Sequence, residues 1–228
     1  MGEGPGRAHS TSGPGPIPPG SRAVAAGTVA SLGMVAFGLT AHSPFPYFSL
    51  ALVGLVLTAA AISGSFRPGH SLTQAFGLTG VTRPVAVGSI AGILLGAGLA
   101  ALFRFTYDQP LLLTGIRPYV LTAALIGASE ELLFRGFIQG KLSSLGWPAA
   151  VVLASLAHTA YKLSLFVFPK EGGATNFLVL GFFTLLVGCM LGVLRLRAGS
   201  VIPPVAAHAF FDIFAYGDWT QAPWWVWG

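Results

Sequence analysis

Seven long apolar stretches occupy most of the chain between residues 23 and 217. Most of them approach the roughly 20 residues that a helix needs to cross the hydrocarbon of a bilayer. Only 8% of the 228 residues are charged, whereas 54% are hydrophobic, and soluble domains carry about three times as much charge. The pattern predicts an all-α fold, a polytopic transmembrane helix bundle of about seven spans. The stretches are 23–41, 46–64, 84–103, 118–140, 148–168, 176–197 and 201–217.

The apolar stretches and the two terminal segments divide the chain into three parts. Residues 1–22 are rich in Gly, Pro and Ser, which predicts a disordered N-terminal tail. Residues 23–217 are expected to form a single transmembrane helical domain. Residues 218–228 contain several tryptophans and predict an aromatic tail at the membrane interface. The single cysteine, Cys189, lies in an apolar stretch and is expected to be a small buried hydrophobic residue.

Two of the stretches carry glycines at intervals of four. Gly88, Gly92 and Gly96 lie in the third stretch, and Gly188 and Gly192 lie in the sixth. Small residues at this spacing let helices approach closely in lipid. We expect these glycines to mark helix–helix contacts.

Lysines and arginines are unevenly distributed between the two sides of the predicted spans. Cytoplasmic loops of membrane proteins carry an excess of these residues, so seven on one side against four on the other predict a cytoplasmic N-terminus. The net charge of +5 is then explained by topology, and we expect no nucleic-acid partner. The larger group is Arg7, Arg22, Arg67, Arg83, Lys141, Arg195 and Arg197, and the smaller is Arg104, Arg117, Lys162 and Lys170.

Several ionisable residues lie inside the predicted spans. Such residues are costly in a bilayer and usually face a bundle interior or a cavity. With a helical rise of about 1.5 Å per residue, Glu130, His158 and His208 lie about 11–16 Å from the same membrane side. Three helices thus predict one shared site. Lys162 is its weakest member, and we expect it either to snorkel or to lie near the end of its helix. The residues are Glu130, Glu131, Arg135, His158, Lys162, His208 and Asp212.

Helical spacing suggests how these groups are arranged. Glu131 and Arg135 are four apart and can pair on one face, as can His208 and Asp212. Glu130 is rotated by about 100° from Glu131 and can face a cavity as a base. His158 belongs to another helix and can approach Glu130 across that cavity.

This arrangement resembles the CAAX prenyl protease and bacteriocin-processing family of intramembrane endopeptidases. The resemblance covers about residues 118–215 and depends on three motifs in order. They are Glu130-Glu131-x-x-x-Arg135, the isolated His158, and His208-x-x-x-Asp212. Two positions depart from the family pattern, because Ala154 replaces a frequent aromatic residue and Asp212 replaces the commoner Asn.

The resemblance implies roles for each motif. Glu130 would activate water with the help of His158, and His208 with the residue four later would hold the oxyanion. Because an ionised carboxylate cannot donate a hydrogen bond, Asp212 would instead be protonated, orient His208 or bind a cation. The implied catalytic set is Glu130, Glu131, His158, His208 and Asp212, with Arg135 as structural support.

We expect hydrolysis without a cofactor or metal, acting on a membrane-associated or lipid-modified peptide or protein. Zinc is the alternative, because Glu, His and Asp can all bind it, although the paired spacing His-x-x-x-His is absent. Two other functions use the same residue types. A proton-coupled or cation transporter could use the cluster as a relay, and a non-enzymatic immunity-type membrane protein could keep the fold.

Overall fold

The computed structural model describes residues 19–43, 48–65, 71–167 and 176–220, and most of these residues are helical. No strand occurs within these ranges. A π-helix, Leu132–Ile138, joins α5 to α6, so residues 119–142 form one continuous helical segment. The helices are α1 (Pro19–Ala41), α2 (Phe48–Ser63), α3 (Leu72–Ala75), α4 (Arg83–Thr106), α5 (Tyr119–Glu131), α6 (Gln139–Leu142), α7 (Trp147–Leu165), α8 (Phe177–Ala198) and α9 (Ile202–Tyr216).

The all-α fold predicted from the sequence is confirmed, and each apolar stretch coincides with one long helical segment. Within the described ranges, three helices are long and apolar enough to cross a membrane, namely Gly20–Ala41, Arg83–Thr106 and Phe177–Ala198. The other long segments are shorter or carry the charged residues of the predicted site. The total of seven spans therefore stays a prediction.

The first helix, α1, begins at Pro19, four residues before the first predicted apolar stretch, and the division of the chain into tail, helical domain and aromatic tail stays a prediction. Proline is well tolerated in the first turn of a helix, where its missing N–H has no partner to lose. The rest of that tail, residues 1–18, lies outside the described residues, as do residues 221–228 of the predicted aromatic tail. The interfacial position of residues 218–228 stays a prediction.

Glycine and proline define several helix boundaries. Gly199 follows α8 with a φ of +67°, a left-handed conformation that glycine adopts without steric cost. Gly146 precedes α7 with a φ of +90°. Prolines then occupy the first turns of α7 and α9. These boundaries set the register in which His158 and His208 enter the bundle.

The glycines at intervals of four mark close helix contacts, as predicted. A Cβ atom added at Gly92 or Gly96 would overlap the backbone carbonyl of Pro203 or Ala207. The backbones of α4 and α9 therefore touch along this line. On α8, a Cβ at Gly188 would lie 3.1 Å from Nη2 of Arg135. This second stripe places α8 directly behind the predicted site.

Contacts between the ends of different helices show which helix ends lie on the same side of the bundle. A Cβ at Gly20 would lie 3.8 Å from Ser144, and the Val201 N–H donates to the Gly77 carbonyl at 3.0 Å. The start of α1, the end of α6 and the start of α9 thus lie at one end of the bundle. We call it the basic end, because it carries Arg22, Arg83, Lys141, Arg195 and Arg197.

Candidate active site

The charged residues predicted inside the spans converge at one place in the bundle. They come from the segment formed by α5 and the π-helix, from α7 and from α9. Glu131 and Arg135 are completely buried, and most of the others are nearly so. We call this group the polar cluster, and its members are Glu130, Glu131, Arg135, His158, Lys162, His208 and Asp212.

The π-helix begins directly after the two glutamates. Its wider turn runs from Leu132 to Ile138 and contains Arg135. π-Helical turns are uncommon and often occur at functional sites, because they change the direction of the side chains that follow. Gly136 lies within the turn, and the Phe76 carbonyl packs against its bare Cα. Regular helical spacing in the sequence does not predict this turn.

Glu130 is held by two donors from α7. Nζ of Lys162 donates to Oε1 at 2.6 Å, and Nε2 of His158 lies 3.2 Å from Oε2. Of the two alternatives for Lys162, the position near the helix end is observed, because Lys162 lies in the last turn of α7. Its ammonium does not snorkel away but forms an ion pair with Glu130. The nearly complete burial of Glu130 makes such a partner necessary, since an isolated buried carboxylate is strongly disfavoured.

Arg135 determines which nitrogen of His158 carries the proton. Its Nη2 lies 3.1 Å from Nδ1 of His158. A guanidinium can only donate hydrogen bonds, so Nδ1 must accept and the proton lies on Nε2. His158 therefore donates its Nε2–H to Glu130. The ring also packs against Phe134, with 4.6 Å between ring centroids, which limits its rotation.

The predicted pair of Glu131 and Arg135 is present as an ion pair, with 3.5 Å between Oε2 and Nε. Neither of these two atoms has a hydrogen-bond partner among the described residues. The hydrogen bond of Glu131 goes instead to His208, whose Nδ1 lies 3.1 Å from Oε1. Because a carboxylate accepts, this contact orients His208 with Nδ1–H towards Glu131 and leaves Nε2 facing the rest of the cluster.

Nε2 of His208 lies between two further carboxylates. It is 4.0 Å from Oε2 of Glu130 and 3.9 Å from Oδ2 of Asp212. Both distances exceed a direct hydrogen bond, and a small molecule such as water can bridge polar groups at this separation. Of the roles considered for Asp212, a hydrogen bond that orients His208 is not observed, since Glu131 makes that contact.

Gly127 is a residue that the sequence analysis missed. A Cβ at this position would lie 2.5 Å from Oδ2 of Asp212 and 2.8 Å from Cδ2 of His208. Only glycine therefore lets α9 bring these side chains so close to α5. Its position three and four residues before the glutamates places it on their helix face, and this spacing was visible in the sequence.

The arrangement of donors does not fit a metal centre. Among the residues that the structure describes, no three His, Cys, Asp or Glu side chains converge as ligands. Cationic side chains contact one atom of each of two potential ligands, namely Lys162 at Oε1 of Glu130 and Arg135 at Nδ1 of His158. The expectation of a metal-free reaction, with zinc as its alternative, remains a prediction for experiment.

A second buried charge network, which the sequence analysis did not identify, lies at the opposite end from the basic end. Arg104 pairs with both oxygens of Asp218, at 2.8 and 3.0 Å, and Thr114 donates its N–H to the same carboxylate at 3.0 Å. These hydrogen bonds, chiefly those from Arg104, hold the pKa of the Asp218 carboxyl well below its usual range. The network fastens the end of α4 to the chain following α9.

Comparison with known proteins gives a family match over the segment that contains the polar cluster. The model of the family described as "Type II CAAX prenyl endopeptidase Rce1-like" matches residues 111–214. No curated protein and no solved structure matches the chain significantly. The family match confirms the resemblance noted from the three motifs and includes every residue of the polar cluster. Residues 111–214 thus carry the match to the Rce1-like family of type II CAAX prenyl endopeptidases that the three motifs suggested.

Proposed function

We propose that this protein is an intramembrane endopeptidase that hydrolyses a peptide bond in a membrane-associated or lipid-modified substrate. The observation that carries the proposal is the environment of Glu130. This buried carboxylate receives a hydrogen bond from a histidine of fixed tautomer and faces a second histidine from another helix. The family match supports the same reaction class.

Glu130 is the proposed base. A water molecule held between Oε2 of Glu130 and Nε2 of His208 would lose a proton to Glu130 as its oxygen attacks the scissile carbonyl carbon. His158 donates to the same carboxylate through Nε2–H and keeps it in place. Because Arg135 occupies Nδ1, His158 acts as a donor and does not itself remove the proton.

His208 is the proposed oxyanion donor. Glu131 already receives Nδ1–H, so Nε2 must carry a second proton to donate to the substrate oxygen. The resulting imidazolium would be surrounded by the carboxylates of Glu130, Glu131 and Asp212, which balance its charge. Asp212 thus supplies charge, whereas the amide of the commoner Asn would supply a hydrogen bond.

Collapse of the tetrahedral intermediate completes the reaction. The proton that Glu130 took from water would pass to the leaving nitrogen as the C–N bond breaks, which gives a carboxylic acid and an amine. The proton of the new acid then passes to the amine, so that the final products are a carboxylate and an ammonium group. General acid–base groups and oxyanion donors typically contribute about 10²–10⁴ each to the rate. In this proposal Glu130 carries the one proton that must move from water to the leaving nitrogen.

Substrate entry is proposed from the side of Lys162 and His208. Their side chains retain 22% and 16% exposure, whereas Glu130 retains 5%. The family name points to prenylated C-terminal peptides, and we propose a membrane-anchored peptide of this kind. A multi-pass protein with a cytoplasmic N-terminus would present the basic end to the cytoplasm.

The test compares Glu130→Gln with Glu131→Gln on purified full-length protein. A farnesylated C-terminal peptide is incubated in H₂¹⁸O, and mass spectrometry measures both the cleavage position and the label in the new carboxylate. Glu130→Gln should lose at least about 10²-fold in rate while remaining folded. Full activity in Glu130→Gln, with loss only in Glu131→Gln, would assign the base to the other carboxylate.

A transporter is the alternative function. It is favoured by the chain of contacts that links the ionisable side chains of the polar cluster. Proton relays need groups that both accept and donate protons. Arg135 lies between His158 and Glu131, and a guanidinium does not release its proton, so this route is interrupted. Proton flux into vesicles without peptide cleavage would favour the transporter, and the absence of both activities would favour the immunity-type function.

A further inference from the structure

We propose that the basic end contains a binding site for a phosphate-type anion, with Arg195 as its principal ligand. The site is a cavity of about 320 Å³ between α3, α6 and the end of α8. It is separate from the polar cluster and shares no residue with it. Its lining includes the polar or basic residues Ser65, Gln74, Lys141, Ser143 and Arg195.

The hydrogen-bond donors of the Arg195 guanidinium find few acceptors among the described residues. Within the described residues its hydrogen bond is to the Gly136 carbonyl, at 3.5 Å from Nη2, which is the outer limit of such a bond. Its Nε is buried without a partner. A part-buried guanidinium with unused donors is the usual complement of a phosphate, which it binds through two parallel hydrogen bonds.

Glycines hold the guanidinium at the wall of the cavity. A Cβ at Gly77 or Gly140 would lie 3.2 or 3.3 Å from Nη2 of Arg195. Gly77 also has a φ of +67°, which bends the chain after α3 towards Arg195. The surrounding backbone thus fixes the direction of a charged group that a free surface arginine would leave mobile.

No carboxylate among the described residues neutralises this charge. Of the described Asp and Glu residues, three belong to the polar cluster, and Asp108 and Asp218 lie at the opposite end. Lys141 adds a second cation to the lining, while Ser65, Ser143 and Gln74 add neutral donors. Basic pockets of this kind between membrane helices suit anionic lipid headgroups, and free phosphate offers the same chemistry.

Two measurements on full-length protein in detergent test the site. Native mass spectrometry measures retained phosphatidylglycerol and phosphatidylcholine, and thermal unfolding measures stabilisation by inorganic phosphate. The variant is Arg195→Gln. The matched control is Arg197→Gln, which removes the same charge two residues later from an exposed position on a different, apolar groove.

The wild type should retain phosphatidylglycerol over phosphatidylcholine, and Arg195→Gln should reduce that retention by about tenfold or more, with Arg197→Gln unchanged. Stabilisation by inorganic phosphate that depends on Arg195 would also support the site, with the free anion as its source. Equal retention of both lipids without phosphate stabilisation would overturn the proposal, as would equal losses in both variants. If Arg195→Gln does not fold, unchanged lipid retention in Lys141→Gln would overturn it.

Discussion

Replacement of Gly127 by alanine tests the geometry of the site with one methyl group. Its Cβ would lie 2.5 Å from Oδ2 of Asp212 and 2.8 Å from Cδ2 of His208, whereas ordinary contacts begin at 3.4 Å. Rotation of Asp212 can relieve the first overlap. The His208 ring is fixed by its hydrogen bond to Glu131, so it must move away by about 0.6 Å, and α9 must move with it.

This displacement acts on the proposed oxyanion donor, because the ring of His208 leaves its position opposite Glu130. A misplacement of about 1 Å can cost about 10² in rate, and overpacking costs about 1–3 kcal/mol of stability. We therefore expect Gly127→Ala to lower kcat by about tenfold to a hundredfold with a smaller change in KM. Cleavage of the farnesylated peptide per folded molecule is the measurement.

Gly98→Ala is the matched control. Gly98 lies within α4, and nothing approaches the position of an added Cβ within 4 Å. Gly98→Ala should raise the stability of the fold by up to about 1 kcal/mol, because alanine has a higher helix propensity than glycine, and it should leave kcat unchanged. If folded Gly127→Ala keeps a kcat within a factor of about three, less than the loss expected from a displaced donor, then the position of His208 does not limit the reaction and our assignment of its role is wrong.

Four further outcomes are expected. Lys162→Met should lower kcat/KM by about tenfold to a hundredfold, because it removes a charged hydrogen bond to Glu130, and Lys162→Arg should restore much of it; equal losses in both would contradict this. Removal of metal ions by a chelator should leave cleavage intact. Activity that is lost on chelation and restored by added zinc would instead show that the reaction needs a metal ion. Arg104→Met should destabilise the fold more than Asp218→Asn, because it removes hydrogen bonds to three backbone carbonyls as well as the ion pair, whereas asparagine keeps an acceptor for Arg104. The depressed pKa of Asp218 predicts that the wild type loses the stabilisation from the ion pair as the pH falls below about 4, and a lack of acid sensitivity in unfolding curves would refute it. In a Cys189→Ala background, single cysteines at the two chain ends should react from opposite membrane sides, and labelling from one side would exclude an odd number of spans.

The sequence by itself determined where the helices lie and which residues could form a site. Apolar runs of about 20 residues can bury their backbone polar groups in lipid only as helices, so the positions of the long helices followed from hydropathy. The cost of charge in a bilayer likewise singled out Glu130, His158 and His208 as members of one cluster. Both inferences depend on local chemistry alone.

The spacing of residues along one helix was less informative about which side chains form hydrogen bonds with each other. It predicted that Glu131 and Arg135 are close, and they are. It did not predict that their hydrogen bonds go to His208 and His158. Helical periodicity specifies neighbours within one helix, whereas partners on other helices depend on how those helices are rotated and offset, and here also on the π-helical turn.

Tertiary structure alone decided the contacts between distant segments. Lys162 meets Glu130 because α7 packs with that face towards α5, although its sequence position fitted a snorkelling lysine equally well. Arg104 meets Asp218, which is 114 residues away, because α4 and α9 touch through a line of glycines. The sequence shows that such charges need partners, and the packing of the helices determines which partners they find.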